Sequence, residues 1–105
     1  MESYKQIDIG KAKEIIERGD VTIVDIRDPQ DYRESHIPRA VSVDEETIQS
    51  FIEKTDKNKP LICYCYHGIS SQGAANYFKE QGFKDVYSII GGFEMWRHTN
   101  PTVNQ

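Results

Sequence analysis

Apolar residues recur at helical spacing in Ile9, Ala12, Ile15 and Ile16, and Gly19 stands where such a helix would close. The next run, VTIVDI from Val21, is β-branched, too short for a helix and apolar enough for a buried strand. Asp28-Pro29 has the form of an N-cap followed by proline in the first turn, opening a short helix that His36-Ile37-Pro38 ends. AVSV from Ala40 predicts a second strand, and Asp44 is placed to cap a helix with Ile48, Phe51 and Ile52 on one face. After the breaker Asn58-Lys59-Pro60, Leu61 to Tyr64 predicts a third strand. Ser70 or Ser71 starts a helix whose Ala74, Ala75, Tyr77 and Phe78 face inward and which Gly82 stops. DVYSI from Asp85 predicts a fourth strand, and Gly91-Gly92 turns into a short last helix carrying Phe93 and Trp96.

Strands alternating with helices imply βαβ units, right-handed crossovers and a mostly parallel sheet covered on both faces, an α/β fold. Ligands in such folds sit beyond the carboxyl ends of the strands. The 105 residues contain no repeat, linker or low-complexity tract, so positions 1–105 are expected to form a single domain. A net charge of -4, from 13 Lys+Arg against 17 Asp+Glu, argues against a nucleic-acid surface, so an anionic substrate must be drawn by a local site. No apolar run reaches the roughly 20 residues of a membrane span, and no secretory core follows Met1, so a cytoplasmic location is expected. Cys63 and Cys65, at i and i+2, would have Cα atoms about 6.5–7 Å apart on a strand, poor geometry for a disulfide. Two free thiols in a reducing compartment fit better.

Charged residues make up 29% of the chain, yet LICYCYHGISSQGAANYF, Leu61 to Phe78, has none and holds both cysteines. The segment reads as strand, tight loop and helix. A loop curling into a helix N-terminus turns several backbone N–H groups toward one point, and the first-turn donors have no helical partners. Gly68 lets the loop close around its own centre. A cysteine at the loop's first position, Cys65, would aim its sulfur into this cradle, and its pKa should fall below the free value of about 8.5. A nearby carboxylate would cancel that effect, a physical reason for the missing charges. The competing reading is that both cysteines are small buried hydrophobes; it suits Cys63, inside the strand, better than Cys65 at its end.

CYHGIS with Ser71 resembles the active-site loop of single-domain rhodaneses. VDIRDPQDYRESHIPRAVSV, Val24 to Val43, resembles the family's N-terminal signature through Tyr32, His36, Ile37, Pro38 and Ala40, and GGFEMW, Gly91 to Trp96, its C-terminal one. The resemblance spans nearly the whole chain. It implies a small domain with a five-stranded, mainly parallel sheet, and a cysteine that becomes a persulfide. Carried onto this sequence, Cys65 is the nucleophile, Tyr66, His67, Gly68, Ile69 and Ser70 supply the cradle, and Ser71 begins the next helix. The implied reaction takes the outer sulfur of thiosulfate onto Cys65 and passes it to cyanide or to a thiol such as a thioredoxin-like protein, with no metal or organic cofactor required. Two residues depart from the pattern: Arg39 stands where many relatives have glycine, affecting a turn, and Ile69 occupies a loop position that is often polar, leaving donor and acceptor preference open.

Other residues carry two readings each. His67, with a free pKa near 6.5, either adds positive charge beside the substrate or is simply solvated. The Ser70 and Ser71 hydroxyls donate to the persulfide or cap the helix, with capping expected for at least one. Asp25 and Arg27 are expected to support the cradle through hydrogen bonds, a structural role favoured over direct substrate contact; Phe93 and Trp96 are core aromatics or, following Gly91-Gly92, part of the pocket rim; Tyr66 shapes the entrance or is an ordinary amphipathic loop residue; and His36 is expected to be structural with His98 exposed. Three rivals to sulfur transfer remain. A phosphatase or arsenate reductase also uses a thiolate in a backbone cradle, but normally has arginine six positions after the cysteine, where Ser71 stands. Cys63, Cys65 and His67 could bind a soft metal as C-x-C-x-H, although the Gly68 loop disfavours an extended run. The third is a non-catalytic rhodanese module used for binding, disfavoured by retention of Cys65.

Overall fold

The computed structural model describes residues 3–104. Its elements are β1 (Lys5–Ile7), α1 (Ile9–Arg18), β2 (Thr22–Asp25), α2 (Pro29–Glu34), β3 (Val41–Ser42), α3 (Ile48–Lys54), β4 (Leu61–Tyr64), α4 (Ser70–Glu80), β5 (Val86–Ile89) and α5 (Gly92–Thr99). The strands form one sheet in the order β1-β5-β4-β2-β3. Every pairing is parallel, so the sheet is wholly rather than mainly parallel.

Alternation along the central strands divides the core in two. Ile62 and Tyr64 of β4 join Ile23, Ile89 and the α1 residues Ala12, Ile15 and Ile16, closed over by Phe93 and Trp96 of α5. Leu61 and Cys63 face the other way, into Val24, Val86, Ile52 of α3 and Ala75 and Phe78 of α4. All four residues of β4 are buried, as expected of a strand covered on both faces.

Local signals place most boundaries. Gly19 takes φ 90° and its N–H bonds the Ile16 carbonyl, ending α1. The Asp28 carboxylate accepts from the Gln30 N–H with Pro29 in the first turn of α2. Arg39 holds φ 72°, the non-glycine residue with positive φ among those described, and its guanidinium donates to the Ile16 carbonyl at 2.9 Å, tying this turn to the end of α1. His36 is buried, stacks on Tyr32 at 3.8 Å and pairs with Val103, a structural role.

One strand has no counterpart in the sequence reading, and two expectations need correction. β1 has no pattern of its own: only Ile7 of its three residues is buried, and it is a strand because it pairs with Tyr87, Ser88 and Ile89. Asp44 does not cap α3; its carboxylate accepts from the N–H groups of Glu46 and Thr47, closing a turn, and the helix starts only after Thr47. Neither Ser70 nor Ser71 caps α4, whose N-cap position is Ile69 with no side-chain bond. Among the described residues, no helix is long and apolar enough to cross a membrane.

Candidate active site

Cys65 follows the last residue of β4, at the carboxyl edge of the sheet, and is 7% exposed. Its Sγ accepts hydrogen bonds from the backbone N–H of Gly68 at 3.1 Å and of Ser71 at 3.2 Å, with the Ser71 Oγ at 3.4 Å. Burial alone would push this thiol's pKa up. The Ser71 hydroxyl and the N–H groups of Ser71, Gly68 and Ile69 outweigh it, so the thiol titrates below its ordinary value. Cys63 meets the opposite fate: burial, reinforced by the nearby Cys65 charge, holds it far up as a thiol, and its Sγ donates to the Ser71 carbonyl.

The loop's donors are free for a negative centre because its carbonyls are engaged elsewhere. The Cys65 carbonyl accepts from the Phe93 N–H and the Tyr66 carbonyl from the Glu94 N–H, both at 2.9 Å. A trans peptide holds its C=O and N–H on opposite sides, so these two bonds turn the N–H groups of Tyr66 and His67 away from α5. The Gly68 carbonyl is likewise taken by Gln72 Nε2 at 3.0 Å, which directs the Ile69 N–H the other way. The first turn of α5, whose N–H groups have no partner within their own helix, thus serves as the loop's anchor.

Two glycines permit this close approach. A Cβ on Gly68, which has φ 87°, would stand 2.7 Å from the Gly91 nitrogen and 2.8 Å from the Ile89 oxygen. A Cβ on Gly92, at φ 60°, would overlap the carbonyl oxygens of Cys65 and Tyr66. Only glycine fits where two backbones touch in this way.

The remaining loop side chains point outward. Ile69 is 74% exposed and contributes its N–H alone; Tyr66 and His67 are exposed and meet edge to face at 4.5 Å; Ser70 is exposed on the first turn of α4. His67 therefore lies apart from the buried Cys63 thiol, and Cys63, Cys65 and His67 do not gather into one donor cluster. Asp25 and Arg27 have the structural role expected of them, but not at the cradle. Arg27 Nη2 reaches Asp25 Oδ2 at 2.7 Å and the Ser35 carbonyl at 2.6 Å, and its guanidinium lies 4.1 Å over the Phe93 ring. The pair braces the ends of α2 and α5, not the loop. Arg27, Tyr66, Phe93 and Arg97 line a hollow of about 360 Å³ beside the loop, and Arg97 stacks 5.7 Å over Tyr66.

Sequence reasoning missed the part played by the α5 backbone and by Ser88. Ser71, Ala75 and Phe78 are the buried residues of α4, at i, i+4 and i+7, so Ser71 lies on the core stripe and not at a cap. Ser88 is a buried hydroxyl on a central strand. Both were visible as polar residues at core positions.

The rhodanese-like domain family matches residues 8–99. The chain belongs to the rhodanese family. It is 50% identical over 99 residues to the thiosulfate sulfurtransferase GlpE of Coxiella burnetii, covering 94% of this chain and 92% of that protein. A relative of the same name from Pseudomonas syringae is 50% identical over 101 residues, covering 96% and 94%. Among solved structures, the rhodanese-like domain of the Anabaena Alr3790 protein superposes with a TM-score of 0.85 at 27% identity over 100% of this chain and 81% of that one. The Bacillus halodurans BH2092 protein gives 0.81 at 32% identity, covering 97% and 77%. This rhodanese is a sulfurtransferase.

Proposed function

We propose that this rhodanese is a thiosulfate sulfurtransferase that works by double displacement through a persulfide on Cys65. The observation that carries the reading is a sulfur at the carboxyl edge of the sheet accepting two backbone N–H bonds with a hydroxyl beside it. The Cys65 thiolate attacks the outer sulfur of thiosulfate, the S–S bond to the sulfonate breaks, and sulfite leaves with the electron pair. The enzyme then holds Cys–S–S⁻, whose terminal charge the loop N–H groups stabilise as an oxyanion hole stabilises oxygen, by about 3 kcal/mol for a well-placed donor. Cyanide attacks that terminal sulfur and leaves as thiocyanate, regenerating the thiolate. A dithiol does the same in two steps: one thiolate takes the sulfur as a persulfide, and the second closes a disulfide and expels hydrosulfide.

Residues 66–70 frame this cradle through their backbone, and Ser71 supplies both an N–H and a hydroxyl. Arg97, at the hollow beside Tyr66, offers a cation to the sulfonate end of the donor. A protein dithiol such as a thioredoxin is supported as acceptor by the apolar side chains around the two turns that meet at Gly68 and Gly91: Ile69 and Ile90 on the turns and Met95 of α5 against Gly91 are exposed there, with Tyr66 close by. Two free cysteines favour operation in the reducing cytoplasm.

A Rhodopseudomonas palustris protein described as a possible tyrosine phosphatase has the same fold, with a TM-score of 0.82 at 28% identity. In this chain the position of a phosphate-clamping arginine holds Ser71, turned onto the sulfur. Mass spectrometry of the intact protein after thiosulfate should find one added sulfur atom on Cys65 and free sulfite in solution. Cys65→Ser should abolish both, while Cys63→Ser retains most activity. Turnover of thiosulfate by Cys65→Ser would falsify the assignment, and aryl-phosphate hydrolysis outpacing sulfur transfer would favour the phosphatase reading.

A further inference from the structure

Ser88 sits in the middle of the sheet, beside Cys63 in the register of β4 and β5, and is 1% exposed. Its Oγ lies 2.8 Å from the Ser71 Oγ, which in turn lies 3.4 Å from the Cys65 Sγ. Ser71 is fully buried, so water does not compete for this hydroxyl. Three polar atoms from β5, α4 and the end of β4 thus form one line through the core.

A hydroxyl has a single hydrogen and two lone pairs, so the line has two settings. With a protonated thiol, the S–H donates to the Ser71 Oγ and the Ser71 hydroxyl donates to the Ser88 Oγ. With a thiolate, the Ser71 hydroxyl turns to the sulfur, and the Ser88 hydroxyl donates into the lone pair so freed. In the second setting both dipoles point at the anion, and each bond polarises the next. Without Ser88, the Ser71 hydroxyl would lose the donor that stabilises it in this orientation.

We propose that Ser88 is a positioning residue: it holds the Ser71 hydroxyl as a hydrogen-bond donor to the anionic sulfur of Cys65. The inference rests on Cys65 being the reactive thiol, but it concerns that thiol's ionisation and can be measured without any sulfur donor. The direction of the Cys65 titration agrees, since the Ser71 hydroxyl leads the contributions that lower it. The ionisable groups of the surrounding elements are Cys63 and Tyr64 on β4, Tyr66 and His67 in the loop, Tyr77, Lys79 and Glu80 on α4, Tyr87 on β5, Glu94, Arg97 and His98 on α5, and Asp25 ending β2 with Arg27 after it. Of these, Cys63 adjoins Ser88 in the register, and burial keeps it a thiol.

The test is the pH profile of Cys65 alkylation by iodoacetamide, with the site read by peptide mass. Ser88→Ala should slow alkylation about threefold on the acid limb of the profile and move the profile to higher pH, leaving its alkaline plateau unchanged. Ser88→Thr, which keeps the hydroxyl, should restore the parent profile. In a Ser71→Ala background, Ser88→Ala should have no further effect, because the relay is already cut. A Ser88→Ala profile superimposable on the parent would overturn the proposal, as would a shift of equal size with and without Ser71. Failure of sulfur transfer in the parent protein would instead count against the persulfide reading and leave this titration to be judged by itself.

Discussion

Replacing glycine with alanine should have opposite effects at two positions of this chain. At Gly92, φ is 60° and the new Cβ would overlap the carbonyl oxygens of Cys65 and Tyr66. A left-handed alanine costs about 1 kcal/mol. Relieving the overlap means moving the first turn of α5 away, which breaks the Phe93 N–H bond to Cys65 and the Glu94 N–H bond to Tyr66. Each is worth about 1 kcal/mol net, so Gly92→Ala should cost about 3 kcal/mol. Gly73, by contrast, lies on the exposed side of α4 with nothing within 4 Å of an added methyl, and Gly73→Ala should stabilise by about 0.5–1 kcal/mol. Urea denaturation of the two variants gives both numbers. Released from their anchor, the peptides at Cys65 and Tyr66 can rotate, so Gly92→Ala should also move Cys65 alkylation to higher pH while Gly73→Ala leaves it alone. Parent-like stability and thiol reactivity in Gly92→Ala would refute the idea that α5 orients the loop.

Asp25→Ala should lose about 3–5 kcal/mol, because it strands the Arg27 guanidinium, whose side chain is 7% exposed, without its partner; a urea midpoint close to the parent's would mean that Arg27 finds water through the neighbouring hollow. Folding lowers the pKa of Cys65, so the folded state gives up this proton first and stability rises with pH between the lowered value and the unfolded value of about 8.5, vanishing at lower pH. Denaturation of parent and Cys65→Ser across that interval should therefore show a difference that grows with pH and then levels off; a flat difference would contradict the lowered titration. Arg97→Ala should raise KM for thiosulfate several-fold at low salt with little change in kcat, an effect that fades as ionic strength rises. A fall in kcat alone would place Arg97 in the chemistry and not in donor capture.

Much of this fold was written locally. Gly19, Asp28-Pro29 and the apolar spacing of α1 and α4 act within a few residues, and β2, β4 and β5 announce themselves as short apolar runs. β1 did not, because Lys5–Ile7 becomes a strand through partners about eighty positions away, and short-range pattern carries no trace of such pairing. The strand, glycine loop and helix around Cys65 were legible for the same local reason. The anchoring of that loop by Phe93 and Glu94 was not, since main-chain donors leave no signature in side-chain identity. Ser71 and Ser88 could have been found: a hydroxyl on the inner stripe of a helix facing another on an inner strand requires a partner, and each supplies it to the other. The expectation of a capping serine came from weighing residue type above position.

The docking of α5 onto the carbonyls at 65 and 66 bears on how this protein is born. Synthesis runs from the N-terminus, so Cys65 is made before residues 92–94 exist to orient its loop. Until then the cysteine is a commonplace thiol on an unclosed sheet, and its acidity switches on only when the last helix seats. A released chain ending before Gly92 should therefore alkylate like a free cysteine.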